Sequence, residues 1–302
     1  MGSGRLRSLP FALVDVFTRE PLGGNPLPLV ADARGLSDAD MRRIAAEFNQ
    51  SETTFLLPPT GPHADRRLRS FTRSGTEFFG AGHNALGAWW WLAHSGALAV
   101  GAPGATFRQE IGERVLPVHV RWSATGLEAV GLAQEVPAFG AVLADRAPLA
   151  AALGLETAAL TLDELPAQVV STGAAHLLVP VRDRAALERA RPDAQALATL
   201  LRAAGGQGCY LFCLDPLDPA ATAQARFFNP GAGNLEDPAT GSAAGPLACQ
   251  LRAHGLLSAG TSAIVEQGHG MGRPSRIEVS LEGDAVLVWG TAVVLAEGTL
   301  HL

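Results

Sequence analysis

Two segments half a chain apart share one pattern, and that pattern restricts the folds open to this sequence. Glu77-Phe-Phe-Gly-Ala-Gly82-His83 is matched by Glu236-Asp-Pro-Ala-Thr-Gly241-Ser242 at an offset of 159 residues, from Gly82 to Gly241. The same offset carries Leu92 onto Leu251, and His94-Ser-Gly96 is answered just beyond by His254-Gly255. Each copy reads as a strand, a glycine turn, an apolar helix and a glycine stop. A chain of 302 residues has room for two similar domains built on such a unit.

Local patterns place further elements. Phe11–Phe17 reads as a buried strand, Gly23-Gly24-Asn25-Pro26 as a turn, and Leu27–Val30 as a second extended run. Ser37 with Asp40 predicts a helix N-terminus stapled by Leu36 and Met41, and Met41, Ile44, Ala45 and Phe48 follow at helical spacing. That helix is expected to end near Asn49, with strand residues from Thr53 to Leu57, which puts Glu52 at a helix-to-strand junction. Arg67–Thr72 alternates like a strand. Asn84–Ala93 is apolar all round, Trp89, Trp90 and Trp91 included, so it belongs inside a core. Thr106–Trp122 predicts a hairpin turning near Ile111-Gly112-Glu113. Strands are expected at Gln168–Ser171, His176–Val181, Tyr210–Leu214 and Ala225–Asn229, and helices at Arg184–Ala190 and Ala194–Ala203. A second apolar helix runs from Ser242 to about His254, and strands at Ile277–Leu281, Ala285–Val288 and Ala292–Leu295 close the chain.

Composition excludes several classes. Charged residues are 17% and hydrophobic residues 47% of the chain, which is not a disordered composition. The net charge of −6 and the scattered arginines offer no nucleic-acid groove and no patch for an anionic membrane. The N-terminal Met-Gly-Ser-Gly-Arg-Leu-Arg-Ser-Leu-Pro lacks an apolar core, and no window reaches the ~18 apolar residues of a membrane span. A cytoplasmic protein is expected. Cys209, Cys213 and Cys249 are too few, and odd in number, for a disulfide framework. Cys209 and Cys213 lie in one apolar run without a second ligand pair, so they read as buried structural thiols and no metal site is expected.

The two glycine turns are candidate anion sites. The first N–H groups of a helix have no intrahelical acceptor, and the helix dipole adds partial positive charge there. If the two domains face each other, Gly82-His83 and Gly241-Ser242 converge on one cleft suited to a carboxylate. Ordinary helix capping by Ser242 is the competing explanation.

The motifs make the reading specific. Glu236-Asp-Pro-Ala-Thr-Gly-Ser-Ala243 resembles a segment of the PhzF-like proteins of phenazine biosynthesis. Ala45–Phe55 is similar to that family's Asn-x-Ser-Glu-Thr-x-Phe motif, and Gly80–His83 to its Ala-Gly-His turn. Val14–Pro26 resembles its opening strand and Gly-Asn-Pro turn, and Gln267–Ser275 a further segment near the end. The matches come in the right order from residue 14 to residue 275.

The resemblance implies an α+β chain of the diaminopimelate epimerase-like fold: two pseudo-symmetric halves, each with a curved, mostly antiparallel sheet around a central helix. The expected halves are residues 1–125 and 126–280, with residues 281–302 returning to the first. Asn84–His94 and Ala243–His254 would be the central helices. By the same resemblance Glu52 is the acid/base residue, His83 helps shape and protonate the site, and Asp237 contacts polar groups of the substrate. Gly82, Gly241 and Ser242 match carboxylate-binding positions. Asn25 is either a turn residue or a lining of the site. The implied partner is a small-molecule carboxylate substrate; no cofactor is expected, and a homodimer is.

Epimerases of this architecture carry a cysteine at each of the two turns. Here those places fall near Ala81 and Thr240, so a single carboxylate is left to move a proton, and the implied activity is an isomerisation. A non-catalytic binding protein and an epimerase or dehydratase on the same fold are the alternatives. Two departures flank the expected pocket: relatives often read Phe-Thr-Pro where Phe71-Thr72-Arg73 stands, and Ala-Gly-His-Pro-Thr where Ala81-Gly82-His83-Asn84-Ala85 stands.

Overall fold

The computed structural model describes residues 7–98, 104–161, 165–232 and 234–302; residues 1–6, part of the N-terminal stretch considered above for a leader, lie outside them. The chain divides into two compact units, Met1–Leu132 with Gly290–Leu302, and Ala133–Trp289.

The first unit begins with β1 (Ser8–Val16), β2 (Asn25–Val30), α1 (Asp38–Phe48), β3 (Glu52–Leu57) and β4 (Arg66–Thr72). It continues through β5 (Glu77–Phe78), α2 (His83–His94), β6 (Gly104–Ile111), β7 (Arg114–Ser123) and β8 (Gly126–Gln134), and takes back the last strand, β18 (Ala292–His301). The strand order is β18-β1-β2-β3-β4-β6-β7-β8, with β5 beside β4. Only β2–β3 and β4–β6 are parallel among these pairs. Parallel neighbours need a crossover, and α1 and α2 supply the two.

The second unit holds β9 (Ala138–Leu143), α3 (Arg146–Leu153), β10 (Ala167–Ser171), β11 (Ala175–Pro180), α4 (Arg184–Arg189) and α5 (Ala194–Ala204). There follow β12 (Gly208–Cys213), β13 (Ala223–Asn229), β14 (Asn234–Asp237), α6 (Gly241–Ala253), β15 (Ala263–Gln267), β16 (Ser275–Glu282) and β17 (Ala285–Gly290). Its order is β9-β10-β11-β12-β13-β15-β16-β17, with β14 beside β13, and again two pairs are parallel, β11–β12 and β13–β15. The crossovers are α4 with α5, and α6. Strand for strand the two units have one topology, and the 159-residue repeat marks the same step in each: short strand, turn, central helix.

The central helices are buried because their sequences leave no polar face. α2 packs on β1, β2 and β3, with Ala85, Leu86, Ala88, Trp89 and Leu92 inside. The fully buried Trp89 donates its indole N–H to Gln109 Oε1 at 2.9 Å, which meets the polar requirement of its ring. Trp90 and Trp91 are only half-buried, and Trp91 donates to Glu297 Oε1 at 2.9 Å. α6 packs on β10, β11 and β16 and is buried nearly throughout, although Pro246 removes one N–H from its ladder.

α1 starts where its sequence says. Ser37 accepts from the Asp40 N–H while Asp40 accepts from the Ser37 N–H, a complete capping box, and Leu36 packs against the cluster containing Met41. Asn49 ends the helix in the left-handed conformation at φ 52° and returns its N–H to Ala45 O. The turn before β2 demands glycine at 24: φ is +57°, and a Cβ there would stand 2.0 Å from Val16 O.

Strands β8, β9 and β15 and helix α3 have no counterpart in the sequence reading. β9 shows why. Ala138–Leu143 has no polar side chain, so no alternation of apolar and polar residues marks it, and from Ala138 to Val142 every residue is exposed. It is a strand because it pairs with β10.

Candidate active site

The α1 crossover sets Glu52 in place. After the Asn49 cap the chain bends and enters β3, whose first residue is Glu52, paired across to Thr72 on β4. His83 is the first residue of α2, behind an N-cap, Gly82, that has no side chain to offer. These two elements bring His83 Nε2 to 3.3 Å from Glu52 Oε2, with side-chain exposures of 11% and 16%. Ser51 Oγ lies 3.4 Å from the same nitrogen. Glu52 Oε2 is buried and takes part in no hydrogen bond among the described residues. Burial raises the Glu52 pKa above the ordinary 4.5, against the opposing pull of a hydrogen bond from Ser51. The result is a carboxyl group with one buried oxygen that has no hydrogen bond among the described residues and faces an imidazole.

The turn before α2 is tied down by Asn84, expected from the sequence to open the central helix and to depart from relatives. Asn84, 1% exposed, accepts the Gly82 N–H at 2.8 Å and donates to Ser70 Oγ and Gly80 O, both at 3.0 Å. Ser70 Oγ in turn lies 2.9 Å from Thr54 Oγ1. The Gly82 amide, expected to face a carboxylate, is therefore engaged by Asn84. Asn25, the first residue of β2, pairs with Val16 and is 1% exposed.

In the second unit Asp237 ends β14, and the turn after it is held by a buried polar network. Thr240 donates its hydroxyl to Asp237 Oδ2 and its N–H to Gln267 Oε1 at 3.1 Å. Gln267, fully buried, donates to Asp237 O at 2.7 Å and Thr240 Oγ1 at 3.1 Å, and its Oε1 accepts from the Tyr210 hydroxyl at 3.0 Å. Burial, and secondarily the Asp237 charge, raises the Tyr210 phenol, so it remains a donor. Gly241 and Ser242 open α6. Their N–H groups have no acceptor among the described residues, the ordinary condition of a helix start that faces no side-chain cap. Ser242 Oγ lies 3.1 Å from His176 Nε2 on β11. Tyr210 and His176 are lone polar residues in apolar runs, and Gln267 and Asn84 stand only as members of longer segments; the partner of each gives it meaning.

A matched ion pair accompanies each turn. Arg69 on β4 holds Glu77 with two hydrogen bonds of 2.7 Å, and Arg226 on β13 holds Glu236 with bonds of 2.8 and 2.9 Å. Each guanidinium also lies over a phenylalanine two residues on, Phe71 at 5.1 Å and Phe228 at 4.8 Å. The leading glutamate of each repeat is thus half of a structural clamp on the strand before the turn.

The thiols stand apart from this chemistry. Cys209, Cys213 and Cys249 are free and buried, and burial pushes Cys209 up to about 12 and Cys249 up to about 11. Among the described residues no helix is long and apolar enough to cross a membrane.

The chain as a whole has well-matched relatives. It is 34% identical to an uncharacterized isomerase of Mesorhizobium japonicum, over 97% of this chain and 98% of the relative. It is 33% identical to the trans-2,3-dihydro-3-hydroxyanthranilate isomerase of Pseudomonas aeruginosa, over 97% and 99%. The crystal structure of a phenazine biosynthesis protein of the PhzF family from Bacillus anthracis matches with a TM-score of 0.88 at 28% identity, covering 98% of this chain and all of that one, 100%. Fold and relatives together define an isomerase on the diaminopimelate epimerase-like fold. Residues 14–298 match the family described as phenazine biosynthesis-like protein, and the chain belongs to that family.

Proposed function

We propose that this isomerase moves a proton between two carbons of a small carboxylate-bearing substrate, with Glu52 as the carrier. The observation behind this reading is the pair of Glu52 and His83: a buried carboxyl oxygen without a hydrogen bond among the described residues, 3.3 Å from an imidazole nitrogen. Glu52, ionised, removes a carbon-bound proton activated by a neighbouring double bond. The electron pair left behind shifts along that double bond, and Glu52 returns a proton at its far end. Bonds balance and nothing is oxidised. A carboxyl group whose pKa burial raises holds the abstracted proton more firmly than an ordinary carboxylate does, which helps it act in both directions. Acid/base participation of this kind adds about 10²–10⁴ in rate. His83 answers the charge on Glu52 as it gains and loses the proton. Asp237 contacts the substrate rather than carrying the proton, since Thr240 already donates to its carboxylate. The buried thiols, and Ala81 and Thr240 at the two turns, favour this reading over a two-thiol epimerisation.

The substrate named for the Pseudomonas aeruginosa relative, trans-2,3-dihydro-3-hydroxyanthranilate, is the first to assay. Incubation in heavy water with detection by mass spectrometry tests the mechanism. Substrate-dependent uptake of deuterium, lost in a folded Glu52→Gln variant, is expected; uptake that survives in that variant rules Glu52 out as carrier.

A further inference from the structure

His176 is an expensive residue to bury, and the proposed mechanism does not use it. It is the second residue of β11, 3% exposed, with its ring edge-to-face on Phe227 at 5.0 Å. Its Nε2 lies 3.1 Å from Ser242 Oγ, and its Nδ1 is buried with no hydrogen-bond partner among the described residues. Burial lowers the imidazole to about 4, so the ring is neutral at neutral pH and carries one N–H and one lone pair. The two tautomers differ in what they leave unmet. With the proton on Nδ1, an N–H is buried without an acceptor. With the proton on Nε2, only a lone pair goes unmet, which buried sites tolerate better.

We propose that His176 is a positioning residue that donates its Nε2–H to Ser242 Oγ and so commits the Ser242 hydroxyl proton to a substrate carboxylate. A serine hydroxyl has one proton and two lone pairs. Once Oγ accepts from His176, its own O–H has to donate elsewhere. It stands on the first turn of α6 beside the Gly241 and Ser242 N–H groups, which have no acceptor among the described residues. Three donors then converge on one oxyanion, which suits a carboxylate better than the mixed donor and acceptor needs of an amide. His176 thereby sets the preference for carboxylate over a neutral isostere.

This inference rests on the reading of Ser242 as a carboxylate contact, and the test separates the two. Nitrogen-15 NMR of the imidazole in the intact chain is expected to report a proton on Nε2 and none on Nδ1; a proton on Nδ1 overturns the proposal and leaves the Glu52 mechanism untouched. Titration with trans-2,3-dihydro-3-hydroxyanthranilate supplies the second arm. His176→Leu and Ser242→Ala are each expected to weaken its binding by roughly tenfold or more, the effect of a lost hydrogen bond to a charged group. His176→Gln, whose amide N–H reaches the place of Nε2, is expected to bind within about threefold of the parent. Unchanged binding in His176→Leu, or no binding to the parent chain, overturns the proposal even if the tautomer is as expected. Thermal unfolding of each variant shows that a loss of binding is not a loss of fold.

Discussion

His83 Nε2 stands 3.3 Å from Glu52 Oε2, and that oxygen has no hydrogen bond among the described residues. The pair joins the first residue of a strand to the first residue of a central helix. Replacing either member tests how they divide the work. His83→Asn is expected to lower kcat by about 10²-fold or more while binding of substrate changes less, because His83 acts on the charge of the carrier and the carrier acts on the bond. Steady-state kinetics on the isomerisation separate kcat from KM.

Glu52 also links stability to pH. Its pKa in the folded chain is raised above the ordinary 4.5 by burial. The unfolded chain therefore loses this proton first, and the stability that the group contributes below about pH 4.5 falls away as pH rises through the folded value. Glu52→Gln removes that loss. The variant is expected to melt above the parent chain near pH 8 and to converge with it near pH 4; thermal unfolding across that range is the measurement.

The Arg226–Glu236 clamp is expected to matter for stability more than an exposed ion pair would. Arg226 also donates to Leu187 O at 2.9 Å and Ala190 O at 3.0 Å, so its guanidinium gathers helix α4 and strands β13 and β14. Lysine cannot supply this fork. Arg226→Lys is expected to cost about 1–3 kcal/mol in urea unfolding, below the full cost of breaking a deeply buried pair.

The Ala-for-Gly change at 245 probes the start of α6 without touching a reactive group. A Cβ at Gly245 would stand 1.8 Å from Gln134 Oε1. Gln134 accepts from Thr172 Oγ1 at 2.6 Å and donates to Gly241 O at 3.0 Å. Gln134 can swing away only by giving up both bonds. Gly245→Ala is expected to lose about 1–2 kcal/mol of stability, read from urea unfolding.

The thiols are expected to be silent in the native chain. With Cys209 held at about 12 and Cys249 at about 11, almost no thiolate exists at pH 8. Iodoacetamide at that pH is expected to leave the folded protein unlabelled and its activity intact, with all three cysteines labelled once urea is added; mass spectrometry counts the adducts.

Much of this protein was legible one segment at a time. Ser37, Asp40 and Asn49 bound α1 because capping is chemistry among residues three or four apart. The unbroken apolar face from Asn84 onward marked α2 as a central helix, and the spacing of Gly82 and Gly241 marked the repeat. What tertiary structure decided lies between distant residues. β9 carries no inward-facing pattern and is a strand only through β10. Asn84 became the ligand of the Gly82 amide, Gln267 the hub beneath Asp237, and Arg226 the clamp on Glu236, each through a partner that local periodicity does not encode. Glu52 is the same case. Read in sequence it is a carboxylate at the end of a helix. Burial at the start of β3 and the arrival of His83 on another element give it a raised pKa and a facing imidazole, because desolvation and proximity are properties of the folded chain rather than of any stretch of it.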